Sequence, residues 1–254
     1  MNDMIGQTVL VTGSTSGIGR AVAIQLAESG AAVALHGRNA DAAEQVAEEI
    51  RRSTGSVAGV FLTDIATSDG CAELIADVIK TCPTLHAACL IAGADTLTGS
   101  SASLPFEDKL QLLYDTDIRS TLLLGRGLGN VLKRHVGSSI VTTGWDQAAT
   151  GMEGDSGELF GTIKGAVMAF TKSLAKSLAP HVRVNCVAPG WIKTAWGDQA
   201  SKEWHERAVR ECLLERWGET EDIADAVRWL ISPQASFITG QIININGGFR
   251  TNQK

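Results

Sequence analysis

Apolar runs, most of them continuous rather than alternating, recur along the chain at 7–12, 31–36, 57–62, 86–91, 138–143, 182–187 and 241–245. Short continuous runs of this kind belong to strands covered on both faces. Between them lie stretches with helical character, at 18–29, 40–53, 68–81, 106–134, 158–179, 201–213 and 220–231. This alternation predicts parallel strands joined by right-handed crossovers. The expected fold is α/β: a single-domain, Rossmann-type, doubly wound parallel sheet of about seven strands. No linker, repeat or charge block divides the chain, so one domain is expected over 1–254. Such a sheet takes its ligand beyond the carboxyl ends of its strands, which directs attention to the residues just after each strand.

After the first strand comes Thr12-Gly13-Ser14-Thr15-Ser16-Gly17-Ile18-Gly19-Arg20, which opens a helix. A helix N-terminus has unpaired N–H groups and a partial positive charge, so an anion sits well there. Gly13 permits the tight turn, Gly17 lets the backbone approach a pyrophosphate, and Gly19 lets the helix lie close to the strand. Ser14, Thr15 and Ile18 share this turn and are candidate contacts. After the second strand stand His36-Gly37-Arg38-Asn39. No acidic residue is there to hold a ribose 2′-hydroxyl, whereas the fork of Arg38 suits a 2′-phosphate. NADP is therefore expected ahead of NAD, with Asn39 beside Arg38 as a further contact. The plainer alternative for Arg38 is a surface arginine at a strand end. After the third strand, Asp64 reads either as a ligand contact or as a helix N-cap.

Composition narrows the partners. With 44% hydrophobic residues the chain can bury a sizeable core, and its net charge of −6 argues against nucleic acid or an anionic membrane surface. No apolar run approaches the ~20 residues of a membrane helix. The N-terminal stretch lacks the basic and apolar regions of a signal peptide, so a cytoplasmic location is expected. The five cysteines, at 71, 82, 89, 186 and 212, are scattered and fit reduced thiols. The histidines form no cluster, and no metal site is expected.

The spacing Thr-Gly-x-x-x-Gly-x-Gly resembles the short-chain dehydrogenase/reductase superfamily, and within it the members similar to 3-oxoacyl-ACP reductases. Other segments carry the resemblance further, over roughly 6–250: Leu90-Ile91-Ala92-Gly93, Val182 to Thr194 with its Pro189-Gly190 step, and Ile238 to Gly248. The resemblance implies that Asp64, with Ile65, meets the adenine. It implies a close backbone approach at Ala92 and Gly93, and contact of Pro189, Gly190, Ile192 and Thr194 with the nicotinamide end. Two asparagines usual before Ala92 are absent, which implies some local rearrangement. It also implies a homo-oligomer, dimer or tetramer, with 106–134 and 158–179 as contact helices.

The same matching exposes a departure. The superfamily uses a tyrosine as general acid, a lysine four residues later that lowers its pKa and holds the ribose, an orienting serine, and an asparagine that completes a proton relay. Here Lys164 remains, but Phe160 stands at the tyrosine position, Trp145 at the serine and Asp117 at the asparagine. Phenylalanine cannot donate a proton, and a lost general acid costs ~10²–10⁴ in rate. Tyr114, the one tyrosine of the chain, lies a turn away from Asp117. Asp117 reads best as the ion-pair partner of Lys164, ahead of a role in proton transfer. Among Asp146, Glu153, Asp155 and Glu158, the pair Asp155 and Glu158 has capping-box spacing. Asp146 is left as the preferred candidate acid, beside Lys164 and Asp117. Trp145 could stack on a flat ligand or block the pocket, and Trp191, Trp196 and Trp204 read as an apolar lid. Gly125-Arg126-Gly127-Leu128-Gly129 lies within a helical stretch and reads as close helix packing.

Two functions follow from this sequence. One is an NADP-dependent oxidoreductase with an atypical proton donor, acting on a small carbonyl or alcohol substrate. The other is an inactive dinucleotide-binding protein, a redox sensor or oligomer partner. An open cavity beside a carboxylate favours the enzyme, and a pocket filled by Trp145 and Phe160 favours the sensor.

Overall fold

The computed structural model describes residues 4–53 and 55–250. Seven strands form one sheet: β1 (Thr8–Thr12), β2 (Ala32–Gly37), β3 (Ser56–Leu62), β4 (Ala87–Leu90), β5 (Ser138–Thr143), β6 (Val182–Pro189) and β7 (Ile242–Ile245). Their order is β3-β2-β1-β4-β5-β6-β7, and every neighbouring pair is parallel. The order reverses between β1 and β4, which opens a crevice at their carboxyl ends.

Helices cover both faces. On one lie α1 (Gly17–Glu28), α2 (Ala40–Ser53) and α9 (Thr220–Ile231), whose apolar sides meet Val9, Val11, Val33 and Leu35. On the other lie α3 (Ser68–Thr81), α5 (Ser120–Leu132) and α6 (Asp155–Leu178), packed on Leu10, Ala34, Ala88 and Ile140. Alternate residues of β1 thus feed two separate cores, which explains why Val9, Leu10 and Val11 are apolar in succession.

Three helical expectations need correction. The stretch 106–134 is not one helix but α4 (Phe106–Leu113), a π turn over Tyr114–Arg119, and α5. The turn is held by Ser120, whose hydroxyl donates to the Thr116 carbonyl, and by Arg119, which pairs with Asp115 at 2.7 Å and donates to the Ala66 carbonyl. The six residues of the turn are too few to set a period of their own, so the stretch reads as one helix in sequence. At α6, the Asp155–Glu158 capping box does not form. The cap is Gly154 at φ +86° without side-chain bonding, and the Glu158 N–H donates to the Gly154 carbonyl. Both carboxylates instead lie in the first turn, where the helix dipole favours them. The stretch 201–213 contracts to α8 (Lys202–Glu211), preceded by a short α7 (Ala195–Gln199).

The glycines of α5 do pack helices together. A Cβ at Gly127 would stand 2.4 Å from Ile75 on α3, and one at Gly129 would stand 2.7 Å from Leu178 on α6. All five cysteines are free and buried, and burial pushes the thiols of Cys71 and Cys89 up to about 11 and about 12. Among the described residues no helix is long and apolar enough to cross a membrane, and no cluster of metal-ligating side chains occurs.

Candidate active site

A cavity of about 590 Å³ opens at the carboxyl ends of the strands. At one end it meets the turn from β1 into α1. Gly13 has φ +67°, and a Cβ there would come within 2.8 Å of the Ala92 backbone. A Cβ at Gly19 would stand 2.2 Å from the Gly13 carbonyl oxygen, so only glycine lets α1 start this close to β1. A Cβ at Gly17, which has φ +50°, would make only an ordinary contact, 3.9 Å from Thr194 Cγ2. Ser16 precedes α1 without a side-chain cap, and no acid stands in the first turn. Ser16, Gly17, Ile18 and Gly19 all line the cavity, which leaves the positive end of the helix to it.

The loops after β2 and β3 flank this turn, and Arg38, Asp64, Ile65 and Thr15 line the cavity. Asp64 is not the cap of α3. That cap is Thr67, which accepts from the Gly70 N–H at 3.0 Å, while Asp64 Oδ1 accepts from the Ala66 N–H at 3.1 Å. Two expected contacts do not reach the cavity. The Ser14 hydroxyl is spent on β2, donating to the His36 carbonyl and accepting the His36 N–H at 2.9 Å. Asn39 caps α2 by accepting from the Ala42 N–H at 3.0 Å.

His36 is a lining residue that the pattern did not single out. Its Nδ1 accepts from the Gly13 N–H at 3.4 Å and its Nε2 meets the Thr63 carbonyl at 3.1 Å. This is the bonding of a neutral ring with the proton on Nε2. Burial lowers its pKa to about 4, with Arg38 adding to the effect.

Toward the middle of the sheet the cavity meets a buried ion pair. Lys164 Nζ lies 2.6 Å from Asp117 Oδ1, and the two side chains are 11% and 1% exposed. The other carboxylate oxygen, Oδ2, accepts from the Ala94 N–H at 2.9 Å, which ties the pair to the loop after β4. The π turn supplies Asp117 and α6 supplies Lys164. The ion pair expected from the sequence is thus present, and Ala92, Gly93, Asp117 and Lys164 all line the cavity.

Asp146, the expected acid, is not brought to the cavity. It sits in a 3-10 turn after β5 that points it toward the end of β7. Its Oδ2 accepts from the Asn246 amide at 2.9 Å and its Oδ1 from the Gln147 N–H at 2.8 Å. Burial pushes its carboxyl above the usual range, and these hydrogen bonds oppose the shift. Its place is behind Gly190, where a Cβ would stand 3.2 Å from Oδ2. Tyr114 also stays away, 45% exposed under the guanidinium of Arg119.

The remaining wall is aromatic. Trp145 and Phe160 meet edge to face at 6.4 Å, and both line the open space rather than fill it. Opposite the loop between them, Pro189, Gly190, Ile192 and Thr194 bring in Trp191, Trp196 and Trp204. These three rings contact one another with centroids 5.5 to 6.0 Å apart. Arg207 lies 5.0 Å over Trp204 and is fixed by Glu211 at 2.8 Å and Glu153 at 2.9 Å. Met152 and Ser156 also reach the cavity. Ser156 had one signal in the sequence: it stands one helical turn before Phe160, on the same side of α6.

The model of a family described as enoyl-(acyl carrier protein) reductase matches residues 13–250. A 3-oxoacyl-[acyl-carrier-protein] reductase, FabG, of Aquifex aeolicus is 33% identical, covering 96% of this chain and 97% of that protein. A short-chain dehydrogenase from Burkholderia cenocepacia, solved in complex with NADP, superposes with a TM-score of 0.87 at 25% identity, covering 97% and 98% of the two chains. The chain belongs to the short-chain dehydrogenase/reductase family. Another member, a 7α-hydroxysteroid dehydrogenase solved with NADH and 7-oxo glycochenodeoxycholic acid, covers all of this chain at 26% identity with a TM-score of 0.88. The family membership accounts for the sheet order and the glycine-rich turn, and it throws the ring-bearing positions 145 and 160 into relief.

Proposed function

We propose that the protein is an NAD(P)-dependent oxidoreductase that prefers NADP and acts on a small carbonyl or alcohol substrate. The observation that carries this reading is a single continuous cavity. It runs from the N-terminus of α1, past Arg38 and Asp64, to the Lys164–Asp117 pair and Thr194. The residues fit the cofactor: a Cβ at Gly13 or Gly19 would close the turn that a pyrophosphate needs, and both positions are glycine. Gly13, Gly17 and Gly19 would hold the pyrophosphate, Arg38 the 2′-phosphate, and Asp64 and Ile65 the adenine. Ala92 and Gly93 would pass beneath the dinucleotide. Pro189, Gly190, Ile192 and Thr194 would position its nicotinamide end, and Lys164 the adjoining ribose. Relatives of this chain bound to NADP and NADH support the assignment.

When bound, the reduced nicotinamide supplies hydride. Lys164 supplies a fixed cationic donor, and Asp117 keeps it charged and oriented. Trp145, Phe160 and the tryptophan wall exclude water. The open cavity beside Asp117 favours turnover over a role as an inactive sensor. Assembly as a homo-oligomer in the cytoplasm belongs to the same reading.

Titration with NADPH and with NADH, followed by energy transfer from the tryptophans, tests it. Micromolar binding with NADPH preferred is expected. Failure of both dinucleotides to bind would overturn the reading.

A further inference from the structure

We infer that the substrate of this enzyme is a flat conjugated dicarbonyl of the quinone class, held between the Trp145–Phe160 pair and the wall of Trp191, Trp196 and Trp204. The inference rests on the dinucleotide reading above and specifies what receives the hydride.

Two independent observations lead there. The first is what the cavity lacks. Hydride addition to a simple ketone produces an alkoxide, a base about as strong as hydroxide and far stronger than a phenolate. Such a product must be protonated as it forms, which is the work of a general acid. Position 160 carries a phenylalanine, position 145 a tryptophan, and neither Tyr114 nor Asp146 lines the cavity. The Lys164 ammonium is engaged by Asp117 at 2.6 Å. A quinone has no such need. It takes the hydride on one carbonyl oxygen: a C–H bond of the reduced nicotinamide breaks, an O–H bond forms, the ring electron pairs shift, and the second carbonyl oxygen becomes a phenolate. The quinone is reduced by two electrons and the nicotinamide is oxidised by two. A phenol has a pKa of about 10, so the monoanion is stable enough to take its proton from water afterwards.

The second observation is what the cavity offers instead. Trp145, Phe160, Trp191, Trp196 and Trp204 all line it, and the three tryptophans of the wall are braced by their own contacts and by Arg207. Preorganised aromatic faces favour flat π systems in offset or edge-to-face contact. A flexible aliphatic acyl chain gains nothing specific from them.

The test uses 2-methyl-1,4-naphthoquinone as probe. Calorimetric titration of the probe into protein saturated with NADP⁺, where no reaction can occur, is expected to give micromolar binding. Trp196→Leu should weaken it about 3- to 10-fold while NADPH affinity stays unchanged. With NADPH, the wild-type protein should reduce the quinone and leave an aliphatic 3-oxoacyl thioester almost untouched. Phe160→Tyr, which returns a hydroxyl to the cavity, should speed the thioester by about 100-fold or more and the quinone by less than about 3-fold. Binding of NADPH without binding or reduction of the quinone would overturn the inference and leave the dinucleotide reading standing. An equal acceleration of both substrates by Phe160→Tyr would also overturn it. If neither dinucleotide binds, both fall.

Discussion

Gly93 lies against the carboxylate of Asp117: a Cβ on Gly93 would stand 2.9 Å from Asp117 Oδ1 and 3.5 Å from Lys164 Nζ. The glycine after β4 therefore does more than let a dinucleotide pass. It leaves room for the ion pair to close. Gly93→Ala should push the carboxylate off the lysine, weakening NADPH binding about tenfold, a change of about 1.4 kcal/mol. Calorimetric titration of both proteins would check this, and an unchanged affinity would separate the glycine from the pair.

Removing Asp117 should destabilise the fold strongly, because it is the buried partner of Lys164. Loss of one partner of a buried pair leaves an uncompensated charge and costs about 3–5 kcal/mol. Asp117→Ala should approach that cost in urea unfolding. Asp117→Asn keeps an oxygen to accept the Ala94 N–H and should lose less than half as much.

Arg38→Ala isolates the cofactor preference. A hydrogen bond to a charged group contributes about 1.5–3 kcal/mol. NADPH affinity should fall about 10- to 100-fold while NADH affinity changes less than about 2-fold. Equal losses for both would move Arg38 from the 2′-phosphate to a general electrostatic role.

His36 gives stability a pH dependence. Its folded pKa of about 4 lies below the ordinary 6.5, so the unfolded chain binds the proton more readily. The neutral ring's stabilisation is fully present above about pH 6.5. It is lost as the pH falls from there through about 4, by about 3 kcal/mol in total at 1.36 kcal/mol per pH unit. Urea midpoints should fall over this window in the wild type and fall less steeply in His36→Gln.

Gly19→Ala tests the phosphate turn. The added methyl would meet the Gly13 carbonyl oxygen, part of the backbone, at 2.2 Å. Overpacking of this kind costs about 1–3 kcal/mol. A lowered melting temperature and loss of NADPH binding are expected together.

Much of this was readable from the chain because strands buried on both faces and a glycine-rich turn leave strong local marks. β1 and the three glycines at 13, 17 and 19 are legible one by one. The ion pair was legible as well, since Asp117 and Lys164 are opposite charges at positions the family resemblance brings together. Asp146 was not, because its direction depends on a short 3-10 turn and on Asn246, one hundred residues away in sequence. Ser14 and Asn39 misled for a related reason: small polar side chains satisfy nearby backbone groups more often than they reach a ligand. His36 was overlooked because nothing in a strand's pattern distinguishes a core histidine from one that braces a loop.

The π turn at Tyr114–Arg119 gives the site an unusual dependence on chain length. Each residue of a helix advances its side chain by about 100°. Deleting one residue from this turn would yield a regular helix from α4 into α5, with better backbone bonding. It would also rotate position 117 away from Lys164 relative to α5. A shorter chain would thus gain a smoother helix and forfeit its buried anion, so the active site is written partly in a count of residues rather than in their identities.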